Sequence, residues 1–373
     1  MQQTAQLSHF LRGMLLTVMI LIQPGIALFG QSSVNREARD AEDALAVFVS
    51  FHKNIELFGY MIHLAEPEEN DPAHPISVEL GKWPEDVNDA SLAEIYERAA
   101  DISYGFFIEL FVHLPEFPLP APYELPYGVL EKYGYTTDAE IDKVKALIRL
   151  SDRFSRDSGF EALWSNLEPF RIETTETLRA IINTQGFAGM LAEMEVFYQQ
   201  DFPAYRFIPS LTLWSGPGWG FKVESDLGQT ATFVLGPLGK NFDYADTTRL
   251  ITLSTHEFGH SFVNHLVLEN LPAHIRDTEK LFVPVEEDMI PQGYSTWETC
   301  LIEHVVRAGE VLIPEVAGNK ALARSNLQYN TEQKSFIYLP FIVDHLRDYR
   351  LNKGLSYKRS LINTMVDLQN TYR

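Results

Sequence analysis

The chain of 373 residues contains 45% hydrophobic and 12% aromatic residues, which is enough for the core of one large domain or two lobes and excludes a disordered protein. It has 51 Asp and Glu against 30 Lys and Arg, and the net charge of −21 disfavours binding to nucleic acid phosphates or anionic membranes. The single cysteine, Cys300, excludes an intramolecular disulfide.

Residues 1–30 have the order of a secretory signal peptide. Arg12 is their only charged residue, an apolar run covers 14–22, and the small residues Ala27 and Gly30 offer cleavage positions. The run is about half as long as the roughly 20 apolar residues that an uncleaved membrane anchor needs, so export is favoured over an anchor. We therefore expect a secreted or periplasmic protein with no stable membrane span after cleavage of the signal.

The region 31–203 is predicted to be mostly helical. Apolar residues recur at helical spacing in residues 37–51, 91–114, 138–155 and 174–198. Residues 115–126 contain too many prolines for a helix or a central strand, and we expect them to form a connector or a surface loop.

Residues 204–268 are predicted to form a small antiparallel sheet followed by a long helix. Short apolar and β-branched segments cover 207–214, 218–223 and 230–234, with glycine-containing turns between them. Asp246 can cap a helix that continues to about Leu268, and 269–373 is predicted to be a helical C-terminal lobe. The expected fold is therefore α+β and mainly helical, with 31–373 forming a single domain.

His256, Glu257 and His260 form an HExxH motif in that helix. Two histidines four positions apart lie on one helical face and can ligate one zinc ion, and Glu257 beside them can take a proton from the attacking water. In the alternative interpretation, the histidines are hydrogen-bonded core residues and Glu257 is a solvated charge. The metal site is favoured because the motif lies in a long amphipathic helix that follows a sheet.

The third ligand distinguishes the classes of zinc hydrolase. The metzincin pattern HExxHxxGxxH needs Gly and His where this chain has Val263 and Leu266, and His265 is turned away from the metal face. Cys300 lies downstream of the helix, which disfavours a deformylase-like site. The remaining candidate for the third ligand is a carboxylate from a following helix.

Glu298 and Glu303 are the candidate carboxylates. Ser295 and Glu298 stand three residues apart at the start of an apolar run, and we interpret them as a capping box, which leaves Glu303 as the favoured ligand. The alternative role of Glu303 is a surface ion pair with Arg307, and the same pair could instead orient a ligand.

Other residues near the motif have weaker support. Asn264, one turn after His260, is a candidate to hydrogen-bond the substrate or a ligand carboxylate, and Gly259 suggests that another backbone approaches the helix. A zinc hydrolase also needs a donor for the developing oxyanion. The candidate donors are Tyr294, His304, Arg307 and Tyr338.

Residues 256–264 (HEFGHSFVN) and 303–308 (EHVVRA) resemble a group of uncharacterised bacterial secreted zincin-like proteins, and residues 54–60 (NIELFGY) resemble the opening block of that group. More distantly, the chain is similar to the gluzincins. That resemblance implies that His256, His260 and Glu303 are zinc ligands and that Glu257 is the general base. The chain departs from thermolysin-type gluzincins, which place an Asp where Arg307 stands and have a shorter separation between the histidines and the glutamate.

The leading hypothesis is an exported zinc metallopeptidase, or a related amide hydrolase, that acts on a peptide or protein substrate. In the gluzincin layout, residues 230–234 are the expected edge strand on which an extended peptide pairs. One alternative is a non-catalytic exported binding module on a zincin scaffold, and another is a helical partner-binding protein with an accidental motif. The intact Glu257 favours the hydrolase.

Overall fold

The computed structural model describes residues 45–65, 71–82, 94–95, 103–213, 218–225, 228–239, 241–351 and 354–372. Most of these residues are helical, and a four-stranded sheet accompanies the helices, so the fold is α+β. The strands are β1 (Ala46–Val49), β2 (Ala204–Pro209), β3 (Trp219–Ser225) and β4 (Gly228–Leu235).

Along the chain, helices precede and follow residues 204–235, the segment that contains β2, β3 and β4. Before it come α1 (Lys53–Ala65), α2 (Pro75–Leu80), α3 (Tyr104–His113), α4 (Tyr127–Lys132), α5 (Asp138–Asp157), α6 (Phe160–Asn166), α7 (Glu168–Ile182) and α8 (Gln185–Tyr198). After it come α9 (Thr247–Asn270), α10 (Pro272–Thr278), α11 (Glu286–Met289), α12 (Trp297–Val316), α13 (Lys320–Glu332), α14 (Leu339–Leu351) and α15 (Tyr357–Thr371), with short 3-10 turns at Glu279–Phe282 and Ile290–Gln292.

The sheet is mixed, so the prediction of an antiparallel sheet is wrong in part. The strand order is β1-β2-β4-β3, with β1 parallel to β2, β2 parallel to β4, and β3 antiparallel to β4. The chain leaves β2, forms β3 at the far edge, and returns through a hairpin to place β4 beside β2. The segment 230–234 is therefore internal, and the edge strands of the described sheet are β1 and β3.

Strand β1 also replaces part of a predicted helix. Residues 46–49 (AVFV) belong to the run 37–51, but they pair in parallel register with residues 204–207 of β2. Val and Phe suit a pleated strand, and the backbone pairing across the sheet outweighs the helical spacing of the apolar residues. Residues 37–44 lie outside the described residues.

One long helix begins where the sequence predicts a cap. The Asp246 carboxylate accepts a hydrogen bond from Arg249 N at the start of α9, which confirms the predicted start of this helix. The predicted helix 174–198 is divided, because the Thr184 hydroxyl caps a new helix at Phe187 N.

Of the predicted helix 91–114, the structure describes α3 and the helical residues 94–95. The proline-rich residues 115–126 form neither helix nor strand, as the sequence predicts.

Helix α9 lies between the sheet and α12. Phe258, in the middle of α9, is fully buried, and its ring meets the rings of Phe207 and Phe233 edge-on at centroid distances of 5.1 and 5.8 Å. Burial of one such side chain contributes roughly 2–3 kcal/mol. Because Phe258 holds this face of α9 on the sheet, His256 and His260 on the opposite face point towards α12.

The loop after β2 is held by a buried carboxylate from α1. Glu56 accepts hydrogen bonds from Leu211 N at 2.7 Å and from the Thr212 hydroxyl at 2.9 Å. Burial raises the pKa of Glu56 to about 7, although these hydrogen bonds act in the opposite direction. The block that includes residues 54–60 therefore fixes the chain just before it enters β3.

No helix within the described ranges is both long enough and apolar enough to cross a membrane. The predicted signal peptide at residues 1–30 lies outside those ranges.

Candidate metal centre

The structure brings His256, His260 and Glu303 together between α9 and α12. The Nε2 atoms of the two histidines are 3.3 Å apart. Glu303 Oε1 lies 3.2 Å from His260 Nε2, and Glu303 Oε2 lies 3.7 Å from His256 Nε2. The ion pair between Glu303 and Arg307 also exists, at 3.4 Å, but both residues are buried, so it is not a surface pair.

The donor atoms of this cluster could hold a metal ion. One ligand atom from each of His256, His260 and Glu303 lies within 4.8 Å of the other two. Two imidazole nitrogens and one carboxylate oxygen form a donor set of catalytic zinc, which leaves a further position for water. Glu303 Oε2 is buried and accepts no hydrogen bond, although the Arg307 guanidinium lies 3.4 Å away and offsets part of its charge. This oxygen therefore has a lone pair that no hydrogen-bond donor uses.

The charges around the cluster are strongly coupled. Burial opposes ionisation of Glu303, but His256, His260 and Arg307 outweigh it and hold the pKa of this carboxyl well below its usual range. Burial likewise favours neutral His260, but Glu303 and Glu257 outweigh it and raise the pKa of His260 to about 9. The carboxylates of Glu303 and Glu257 therefore favour positive charge on His260.

Glu257 lies beside the cluster in a water-poor setting. Only 6% of this residue is exposed. Burial raises the pKa of Glu257, and the carboxylates of Glu303 and Glu310 act in the same direction, while the two histidines oppose the rise. A carboxylate whose proton affinity is raised in this way is suited to accept a proton near neutral pH.

Two glycines, Gly218 just before β3 and Gly220 within it, give Glu257 its space. A Cβ atom on Gly218 would lie 2.6 Å from Glu257 Oε1, and one on Gly220 would lie 1.7 Å from the Glu257 carbonyl oxygen. One turn later in α9, the Ser261 hydroxyl donates to the carbonyl of Phe221 at 3.0 Å. The helix that carries the candidate base is thus in direct contact with the edge strand β3.

Gly259 does not mark the close backbone approach that the sequence suggests. A Cβ atom there would meet the side chains of Val306 at 3.2 Å and Tyr198 at 3.5 Å. The close approach to α9 occurs at Gly220 instead, on the strand rather than on the helix.

The outer nitrogens of both histidines are hydrogen-bonded. His256 Nδ1 donates to Glu310 Oε1 at 2.6 Å, and His260 Nδ1 donates to Asn264 Oδ1 at 3.0 Å. Asn264 therefore contacts a candidate ligand, although it contacts a histidine rather than a carboxylate. Both contacts leave the Nε2 atoms free to face the site.

Arg307 contacts several residues of the site. It donates to Asn330 Oδ1 at 2.8 Å and to the Tyr294 hydroxyl at 3.4 Å, and its guanidinium lies 4.5 Å from the centre of the Phe336 ring. It is also 3.8 Å from Glu310 Oε2. Burial lowers the pKa of Arg307, but Tyr294, Glu310 and Glu303 outweigh it and raise this pKa above its usual value, so Arg307 stays charged.

The capping interpretation at the start of α12 is wrong. The N-cap is Thr296, which forms its reciprocal hydrogen bonds with Thr299, so Ser295 and Glu298 do not make the capping box. Glu298 is exposed and stands outside the metal cluster. Glu303 is favoured over Glu298 by position, since it is the carboxylate that faces α9.

Two of the candidate oxyanion donors lie in a buried aromatic cluster. His304 Nδ1 donates to the Cys300 carbonyl of its own helix, and its ring packs against those of Phe336 and Tyr338. The Tyr338 hydroxyl donates to the Leu281 carbonyl. Burial lowers the pKa of His304 to about 4, so this histidine is a neutral core residue. Tyr294, in contrast, is only partly buried and touches Arg307.

Sequence reasoning missed the roles of Glu310, Asn330, Gly218 and Gly220. Glu310 stands seven residues after Glu303 and three after Arg307, so all three share one face of α12, and that spacing is visible in the sequence. The contact between Glu310 and His256 depends on how α9 packs against α12, and the spacing along the sequence does not predict that packing.

Residues 127–361 match a protein family described as "Domain of unknown function (DUF4932)". The matched range runs from α4 into α15 and contains every candidate metal ligand. No curated protein matches the chain, and no solved structure matches it.

Proposed function

We propose that this chain, which belongs to the DUF4932 family, is an exported zinc-dependent hydrolase and most specifically a metallopeptidase. One observation carries the proposal. His256, His260 and Glu303 each place a ligand atom within 4.8 Å of the other two, and the buried carboxyl of Glu257 lies beside them. A structural metal site has no need for such an acid-base group.

His256, His260 and Glu303 would hold the zinc ion, each offering one ligand atom. When bound, zinc lowers the pKa of water towards about 7 and polarises a substrate carbonyl. The Glu257 carboxylate accepts the proton of the attacking water and passes it to the leaving amine. Its buried position keeps competing water away and favours the protonated form between these two transfers.

Tyr294 is the group that we assign to the developing oxyanion. Of the four candidates, Tyr338, His304 and Arg307 are at most 3% exposed, whereas Tyr294 is partly exposed at the edge of the same cluster. Its hydroxyl accepts a hydrogen bond from Arg307 at 3.4 Å, and burial together with the nearby Glu303 carboxylate raises the pKa of Tyr294, so the phenol keeps its proton and can act as a donor.

Peptide substrates are supported by the edge strand β3. β3 lies at one end of the strand order and contacts α9 at Gly220, against the backbone of Glu257. An extended peptide that pairs with a sheet edge passes its carbonyl groups along that edge. The resemblance to gluzincins points to the same class of substrate, and the charge and apolar pattern of residues 1–30 supports export.

The test combines metal analysis with one conservative variant. Purified protein is expected to contain about one zinc per chain and to cleave members of a peptide library. Glu257→Gln keeps the shape of the side chain but cannot accept a proton, so we expect it to retain zinc and to lose about 10²- to 10⁴-fold in kcat.

Glu269→Gln is the matched control, because Glu269 is an exposed residue of the same helix. It is expected to match the wild type in zinc content and in rate. The proposal is wrong if the wild type cannot be loaded with zinc, or if Glu257→Gln cleaves peptides as fast as the wild type.

A further inference from the structure

The two candidate histidine ligands are supported by different chemical groups. His256 Nδ1 faces a carboxylate oxygen of Glu310 at 2.6 Å, whereas His260 Nδ1 faces the amide oxygen of Asn264 at 3.0 Å. A charged acceptor forms a shorter and stronger hydrogen bond than a neutral one. It also increases electron density on the imidazole more strongly, so the two histidines are not equivalent as ligands.

Glu310 is itself held in place by the neighbouring helix. Asn330 of α13 donates to Glu310 Oε2 at 2.9 Å, and Asn326, one turn earlier in α13, donates to the Glu310 carbonyl at 3.0 Å. Arg307 lies 3.8 Å from the same Oε2 atom. One carboxylate oxygen is thus occupied by α13 and Arg307, and the other is left for His256.

The burial of this carboxylate points to a role in addition to holding α12 against α13. Only 5% of Glu310 is exposed, and a buried carboxylate is costly to keep when it serves packing alone. The hydrogen bond from Asn326 to the Glu310 backbone already joins the two helices without any charge. The carboxylate adds a directed contact with His256.

We propose that Glu310 is a positioning residue, which fixes the tautomer of His256 and makes this histidine the stronger of the two imidazole ligands. With the proton held on Nδ1, the lone pair on Nε2 faces Glu303 and His260. The inference rests on the proposed function only in taking zinc as the ion, and it does not depend on catalysis.

The experiment measures zinc affinity by competition with a chromophoric chelator. Glu310→Gln keeps the size of the side chain and removes the charge, and we expect zinc affinity to fall roughly 10- to 100-fold. Asn264→Ala, which removes the neutral acceptor of His260, is expected to cost less affinity than Glu310→Gln. Glu315→Gln, in the same helix but paired with Arg347, is the matched control and should bind zinc as the wild type does.

A second readout separates positioning from simple stabilisation. In cobalt-loaded protein, the visible absorption bands report the ligand field, and we expect them to shift in Glu310→Gln but not in Glu315→Gln. If Glu310→Gln does not fold, Asn330→Ala keeps the carboxylate but removes one of its donors. That variant should lower zinc affinity by a smaller factor and shift the same bands.

Equal zinc affinity and unchanged cobalt bands in Glu310→Gln, with or without a lower melting temperature, would overturn the inference. A larger loss of affinity in Asn264→Ala than in Glu310→Gln would do the same, as would a wild type that binds no zinc. Zinc binding that depends on Glu310 in a protein that cleaves no peptide would reject the hydrolase and retain this inference.

Discussion

The carbonyl oxygen of Glu257 lies against Gly220, so close that a Cβ atom on the glycine would be 1.7 Å away. The carbonyl belongs to the backbone of α9 and cannot rotate aside as a side chain can. The strand and the helix therefore meet at a spacing that only glycine permits, at the residue that we assign as the general base.

Gly220→Ala is expected to destabilise the protein by about 3 kcal/mol or more, because overpacking against backbone forces one of the two elements to move. Urea unfolding measures this loss. Gly128→Ala is the control, since nothing lies within 4 Å of a Cβ there, and its helical position predicts unchanged stability or a gain of up to about 1 kcal/mol. Equal stability of Gly220→Ala and the wild type would show that the contact is not as close as described.

Glu303→Ala is expected to abolish stoichiometric zinc binding, because it removes the carboxylate ligand and leaves two histidines. Glu298→Ala, five residues earlier in the same helix and exposed, is expected to keep the full zinc content. Metal analysis after dialysis against a weak chelator distinguishes the two. Loss of zinc from Glu298→Ala, with retention in Glu303→Ala, would reverse the assignment.

Tyr294→Phe is expected to lower kcat by about 10²-fold or more with unchanged zinc content, since a lost oxyanion donor costs that much. Tyr338→Phe loses only a hydrogen bond to the Leu281 carbonyl in the aromatic cluster, and it should lose about 1 kcal/mol of stability while keeping its rate. Steady-state kinetics with a cleaved peptide measures both. A wild-type rate in Tyr294→Phe would remove this residue from the mechanism.

Glu56 makes folding stability depend on pH. Its pKa is about 7 in the folded protein, where burial disfavours the charged form, against an ordinary value of 4.5. Between these values the folded state binds a proton that the unfolded state has lost, so stability falls as pH rises from about 4.5 to 7 and is level above. The loss amounts to about 3 kcal/mol at most.

Glu56→Gln is expected to remove this part of the pH dependence, because the amide does not titrate. Urea unfolding at pH 5 and pH 8 of the variant, the wild type and the exposed control Glu116→Gln measures it. The variant should lose less stability than the wild type between the two pH values. The same change with pH in all three proteins would contradict the role given to Glu56.

Local chemistry explains which features the sequence predicts. The Asp246 cap, the length of α9 and the common face of His256 and His260 depend only on residues within a few turns, so the pattern along the chain contains them. The pairing of β1 with β2 joins segments more than 150 residues apart, and no local spacing signals it. For the same reason the sequence predicts strands near the motif but not their mixed order.

The environment of the motif depends on packing between helices. Glu310 reaches His256 only because α12 lies against α9, and Asn330 reaches Glu310 only because α13 lies against α12. The capping error has a different origin, since Ser295 and Thr296 are both good N-cap residues. When the N-cap is Thr296 instead of Ser295, its partner in the capping box is Thr299 instead of Glu298.

The double contact between α9 and β3 also constrains how this protein can change over evolution. Gly220 touches Glu257, and the Ser261 hydroxyl holds the Phe221 carbonyl one helical turn further on. A larger residue at 220 is tolerated only if α9 shifts, and such a shift moves Glu257 relative to Glu303 on α12. Sequence drift in the strand is therefore coupled to the geometry of the site, so relatives that retain the histidines and Glu257 should retain glycine here as well.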